Sequence, residues 1–362
     1  MTKSKVTTGL ALIVLSAAAV LFTGCRNTAG VKPADGAGSG GGGNSGAGGG
    51  GVLLDTAVLT LSSDKLDIKV KAVTADGSPV TVEGCTETAL PSGTETELHA
   101  QGTRVTLKGK ITELYCGKNQ LTALNVQGLS ALKELHCGEN QLTALNVQGL
   151  TALQGLDCSG NQLTALDVQG LSALKGLSCG ENQLTALNVQ GLTALEWLGC
   201  YGNQLTALNV QGLTALQGLY CSGNQLTALN VQGLSALKEL SCDGNQLSSL
   251  NVQGLSALQV LHCSDNQLTA LNVQGLTALQ GLECYGNKLN AAAFKQLFTG
   301  LPQREESDNA KCILYTEKTG VSEGNHTDFT APPDLADAFN KAKTVKKWKM
   351  YKVNASGNRV EI

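Results

Sequence analysis

The chain has 362 residues and a formal net charge of −3, a mildly acidic balance that argues against general nucleic-acid binding, which needs a basic footprint. Aromatic residues make up 4 % and charged residues 15 %, while 44 residues are glycine. The glycines fall in one low-complexity stretch and in an internal repeat, so length alone does not count domains.

Residues 1–24 read as a secretory signal peptide. Lys3 and Lys5 precede the apolar run from Leu10 to Phe22, which is too short for a comfortable transmembrane helix. The run ends in Thr23-Gly24-Cys25, which resembles a bacterial lipobox, where cleavage leaves the cysteine first and lipid is attached to its sulfur. Phe22 departs from the usual leucine, a looseness associated with spirochaete lipoproteins. The resemblance implies lipidation of Cys25 and anchoring in the cell envelope, with surface exposure on the outer membrane expected; ordinary secretion is the alternative. Residues 25–51, with GSGGGGNSGAGGGG at their centre, cannot bury a core and should be a flexible tether spanning roughly 25–30 Å.

Residues 52–110 are expected to form a β-rich N-terminal cap, with a separate binding domain as the alternative. Val58 to Leu61 and Leu66 to Ala72 alternate as strands, Asp76-Gly77 reads as a hairpin turn leading to Pro79 to Val82, and Val105 to Leu107 and Ile111 lead into a first strand at Leu114.

From 111 to 289 the chain is an array, with eight full 21-residue copies between Leu121 and Lys288. Numbered from the first leucine of each copy, apolar residues occupy columns 1, 4, 6, 9, 12, 15 and 17, and asparagine column 20. Column 17 is cysteine nine times, from Cys116 to Cys284. The leucine spacing alone suggests an amphipathic helix, and 21 is three heptads, which suggests a coiled coil. Glycine at column 8 of every copy, and further glycines at 18 or 19, would cost a helix roughly 1 kcal/mol each. Alternation at columns 14 to 18 points instead to a half-buried strand, stacked at ~4.8 Å per repeat into a parallel sheet. The columns 4 to 6 should be a short strand or extended segment on the opposite side, and the asparagine amides a ladder at the bend. One repeat cannot fold alone and stands only by stacking. The cysteine column reads as small buried apolar residues; disulfide, metal or redox roles are the alternatives.

After Asn287 the pattern changes. Residues 290–362 should be a C-terminal cap: a helix with Asn290 as N-cap and Gly300-Leu301-Pro302 as stop, a strand at Cys312 to Thr316, a helix from about Asp334 to Lys343, and a strand from Lys347 to Val353. A run of lysines from Lys341 to Lys352 reads as a solvated face, or as a weak site for anionic polymers.

Columns 12 to 20 and the next column 1 spell L-x-x-L-x-C-x-x-N-x-L, as in Leu216 to Leu226, which resembles the leucine-rich repeat. Over residues ~100 to 353 the chain is similar to the short cysteine-bearing leucine-rich-repeat adhesins of oral treponemes and Bacteroides-type bacteria. The resemblance implies a solenoid of the right-handed β/α superhelix class, mostly β and extended or 3-10 in its repeats, with a parallel concave sheet that binds ligands.

No nucleophile elbow, P-loop or metal-spaced cluster is present, so no enzyme activity, cofactor or metal is expected. What remains is the surface. Differences among the copies gather at columns 13, 14, 16, 18 and 19, most of them outward positions of one sheet. The candidate binding residues are Tyr115, His136, Asp157, Tyr220, His262 and Glu283 at column 16, Tyr201 and Tyr285 at column 18, and Trp197 at column 14. Trp197, Tyr201 and Tyr220 are expected to form an aromatic patch near the middle. A host protein, a host cell or another bacterium's surface is the partner the resemblance implies. A carbohydrate-binding lipoprotein and a periplasm-facing envelope protein are the alternatives.

Overall fold

The computed structural model describes residues 55–320 and 323–362. The signal peptide, Cys25 and the tether lie outside the described residues.

Six strands precede the array: β1 (Thr56–Thr60), β2 (Asp67–Thr74), β3 (Val80–Glu83), β4 (Ala89–Leu90), β5 (Thr96–His99) and β6 (Arg104–Lys108). The array opens with β7 (Ile111–Tyr115) and β8 (Ala123–Asn125). It continues, one strand per repeat, with β9 (Glu134–His136), β10 (Gly155–Asp157), β11 (Gly176–Ser178), β12 (Trp197–Gly199), β13 (Gly218–Tyr220), β14 (Glu239–Ser241), β15 (Val260–His262) and β16 (Gly281–Glu283). The chain then forms α1 (Ala291–Gly300), β17 (Lys311–Thr316), α2 (Pro333–Thr344), β18 (Lys349–Val353) and β19 (Arg359–Glu361). A sheet of 14 strands runs β5-β2-β7-β9 and onward in chain order to β19. From β7 to β18 every pairing is parallel, whereas β2 joins β7 and β19 joins β18 antiparallel.

The sheet keeps one register throughout the array. Leu114 faces Leu135, Leu156 faces Leu177, and the column-15 leucines continue in line to Leu282. A one-residue slip would turn this leucine row outward, so the hydrophobic pattern fixes the pairing. The strands proper cover columns 14 to 16, shorter than the alternation suggested. Ladder hydrogen bonds nevertheless continue beyond them, as when the Cys200 N–H donates to Tyr220 at 2.8 Å and the Gly202 N–H to Ser222 at 2.8 Å.

The back of each repeat is extended without a continuous strand. Only β8 is a strand there, pairing with β1, and one isolated bridge joins Asn125 to Asn146. The sequence accounts for this. Asparagine at column 5 turns its own side chain onto the column-7 N–H, as Asn209 does to Gln211 at 3.1 Å. Glutamine at column 7 then donates to the column-5 carbonyl of the next repeat: Gln190 to Asn209 at 3.0 Å, Gln211 to Asn230 at 2.9 Å. Side-chain amides thus take the place of the backbone ladder. Paired i→i+3 bonds, Leu213 to Val210 and Leu216 to Leu213, wind the chain back toward the next strand.

Both ends of the leucine core are covered. At the start, β2 closes the large sheet while β1 joins β8 in a second sheet, ordered β4-β3-β6-β1-β8. At the far end α1 has Asn290 as N-cap, its side chain accepting from the Ala293 N–H at 2.9 Å, and buries Phe294, Leu297 and Phe298. Strand β19 was not anticipated from the sequence.

Candidate binding face

The outward residues of columns 14, 16 and 18 occupy one face of the large sheet. At its N-terminal end Tyr115 and His136, on adjacent strands, stack with ring centres 4.5 Å apart and planes within 5°. The Lys71 ammonium lies 4.6 Å from the centre of the Tyr115 ring, and the Tyr115 hydroxyl donates to Glu113 at 3.1 Å. Burial, then the neighbouring Glu113 charge, pushes the Tyr115 phenol up to about 12. The Glu134 carboxylate stands 3.6 Å from His136 Nε2. Asp157 is turned along its own strand, accepting from the Ser159 hydroxyl at 2.6 Å and the Ser159 N–H at 3.1 Å.

In the middle the structure brings Trp197 and Tyr220 together as an offset stack, 6.5 Å between centres and 13° between planes. The indole lies flat over Gly218, where any Cβ would overlap it, so glycine at that position is what lets the ring lie down. The Tyr220 hydroxyl donates to Glu239. Tyr201 leans the other way, over Gly180 of the preceding repeat. The expected aromatic patch is therefore a Trp197–Tyr220 platform with Tyr201 extending toward the N-terminal side.

At the C-terminal end His262 Nε2 is 3.4 Å from Glu283, and Arg359 on β19 reaches the same carboxylate at 2.6 Å. Burial pushes the Tyr285 phenol well above its usual range. Asp243 accepts from the Ser241 hydroxyl at 2.9 Å and the Ser264 N–H at 2.9 Å. The Asp265 carboxylate lies over Gly286. Partial burial of that group, then the Asp243 and Glu323 charges, pushes it up to about 6.

Sequence reasoning missed several members of this face. Lys71 and Arg359 come from outside the repeats, where no period marks them. Asn325 escaped for the same reason. It takes over column 20 for the final turn, its Oδ1 accepting from the Leu289 N–H at 2.9 Å and its Nδ2 donating to Cys284 and Leu314 at 2.8 Å each. Within the array the asparagine ladder is as expected: Asn203 accepts from the Leu184 N–H at 2.9 Å and donates to the carbonyls of Cys179 at 3.0 Å and Cys200 at 3.1 Å.

The cysteine column faces the core. All nine residues have no exposed surface, and all eleven described cysteines, Cys85 and Cys312 included, are free thiols. Burial pushes the column thiols from Cys116 to Cys263 up, Cys116 and Cys200 to about 12. The lysine run does not form a common patch. Lys341 pairs with Asp337 at 2.8 Å, Lys347 with Glu306 at 3.4 Å and Lys352 with Glu317 at 2.7 Å, while Lys346 donates to main-chain carbonyls.

No family model matches this chain, and no curated protein does. Among solved structures, it is similar to the functional domain of InlJ from Listeria monocytogenes, which is described as including a cysteine ladder. The identity is 29 %, the match covers 60 % of this chain and 52 % of that one, and the TM-score is 0.50. A leucine-rich-repeat protein of Leptospira interrogans matches at 30 % identity over 53 % of this chain and 59 % of its own, with a TM-score of 0.44. Internalin C2 of Listeria monocytogenes matches at 27 % identity over 49 % and 73 %, with a TM-score of 0.39. The chain spans about half the length of the InlJ domain it matches. Its fold is a leucine-rich-repeat solenoid, and its structural neighbours are bacterial leucine-rich-repeat proteins.

Proposed function

We propose that this chain is a lipid-anchored binding module of the bacterial surface, tethered through Cys25, whose concave sheet holds a partner protein on a host cell or on another bacterium. The observation that carries the reading is the concentration of differences among near-identical repeats at mostly outward columns of one sheet, with the Trp197–Tyr220 stack near their centre. Rigid aromatic anchors on a preorganised face are what protein interfaces use for their strongest contacts. Likeness to the InlJ domain supports a protein-binding scaffold in general. The two tests are separate. Palmitate labelling should be lost in Cys25→Ala, and protease shaving of intact bacteria should remove the repeats. Binding of the purified chain to host cells should fall at least tenfold when Trp197→Ala and Tyr220→Ala are combined; unchanged binding would sink the assignment to this face.

A carbohydrate ligand is the second reading, because a flat indole beside tyrosine and carboxylate also suits a sugar ring. Periodate treatment of the target cells would abolish binding in that case, and protease treatment would spare it.

A further inference from the structure

Columns 14, 16 and 18 of the concave face carry six carboxylates, on Glu113, Glu134, Asp157, Glu239, Asp243 and Glu283, and no lysine or arginine. The whole chain is only mildly acidic at −3, so this face concentrates negative charge. At each end of it the protein supplies its own cation. Lys71 from the N-terminal cap lies over Tyr115, within the group of two stacked rings and the Glu113 and Glu134 carboxylates. Arg359 from β19 pairs with Glu283 beside His262.

The middle of the face repeats the N-terminal arrangement: two stacked rings, Trp197 and Tyr220, with the Tyr220 hydroxyl directed at the Glu239 carboxylate. Among the described residues, cations lie over the rings of Tyr115, Tyr315 and Phe339, and none over Trp197. Trp197 and Glu239 stand two strands apart, about 9.6 Å, a span that one arginine side chain laid across β13 bridges with its stem and head. An indole is also the strongest of the side-chain rings at attracting a cation.

We propose that the middle of the concave face seats a basic side chain of the partner, stacked on Trp197 with Glu239 as counter-charge, so that the partner it fits presents an arginine- or lysine-bearing segment. This rests on the concave face being the binding face, and it adds the chemistry of what binds there. The Lys71–Tyr115–Glu113 group is a related contact made within one chain, with the cation over the tyrosine that bonds the carboxylate.

The test uses a twelve-residue glycine–serine peptide carrying three arginines, and its counterpart with citrulline, which keeps the shape and removes the charge. Emission of Trp197 reports binding, because the chain's only other tryptophan, Trp348, is buried and constant. The arginine peptide should perturb that emission and bind at least tenfold more tightly than the citrulline peptide. Affinity should drop about tenfold in Trp197→Ala, followed by titration calorimetry, and up to about fivefold in Glu239→Gln, whose tryptophan is intact. Asp167→Asn, on the opposite surface, should change nothing. Equal affinity for the two peptides, or loss of affinity with salt but not with Trp197→Ala, would overturn the proposal as diffuse charge attraction only. If the arginine peptide fails while cell binding still depends on Trp197 and Tyr220, this inference falls and the concave-face reading stands.

Discussion

Asn203 shows what one position contributes to the spring. Its amide satisfies a buried N–H on Leu184 and two buried carbonyls, on Cys179 and Cys200. Asn203→Ala should therefore cost about 3 kcal/mol in urea unfolding, because the groups left behind remain buried. The thiols make a different prediction, through pH. Their folded values lie above the ordinary thiol value near 9, up to about 12 for Cys116 and Cys200, so the folded state holds protons that the unfolded chain releases. Stability from this source is complete below pH 9 and is lost as pH rises toward 12. Unfolding followed by circular dichroism should thus show a steep alkaline transition, shallower when Cys200 and its two neighbours in the column, Cys179 and Cys221, are alanine. Both columns were legible in the sequence because repetition isolates them. Asn325 was not, since its spacing from Cys312 is set by a loop and an inserted carboxylate, Glu323, that caps Gly286 and Thr316.

The elements of the array are short, and turns hold them in place more than strand propensity does. From Gly149 to Gly275 column 8 adopts a left-handed backbone, φ +84° at Gly212, with open space where a Cβ would stand. Gly212→Ala should cost about 1 kcal/mol or more from backbone strain alone, read as a drop in melting temperature, because no clash contributes. Asn290→Ala removes the side-chain cap at the N-terminus of α1 and should cost about 1 kcal/mol. The helices and the sheet were readable from capping residues and periodicity. The lack of a continuous strand behind the repeats after β8 was not, because it depends on glutamine side chains competing for carbonyls, and a polar column looks the same whether it faces water or a neighbouring repeat.

The repeats and their two caps behave as a one-dimensional stack closed at both ends. Removal of residues 163–183 places Leu184 after Gln162, in the column Leu163 held, so the shortened chain should still unfold in one cooperative step at a modestly lower midpoint. Removal of 163–182 leaves one extra glutamine, Gln183, at that junction, a bulge confined to a single repeat boundary, and should lower the midpoint further in the same transition. The face above the stack was legible only as a set of variable columns. Which rings touch, and which caps reach over them, depends on the directions in which side chains lean and on Lys71 and Arg359 arriving from outside the pattern. Register has a further consequence, at the level of heredity. Each boundary bond joins the same two columns whichever copies meet there, so gain or loss of a repeat by slippage in the coding sequence leaves both caps fitted. Related lineages should then differ in the reach of the molecule, in steps of one strand spacing, while the fold stays the same.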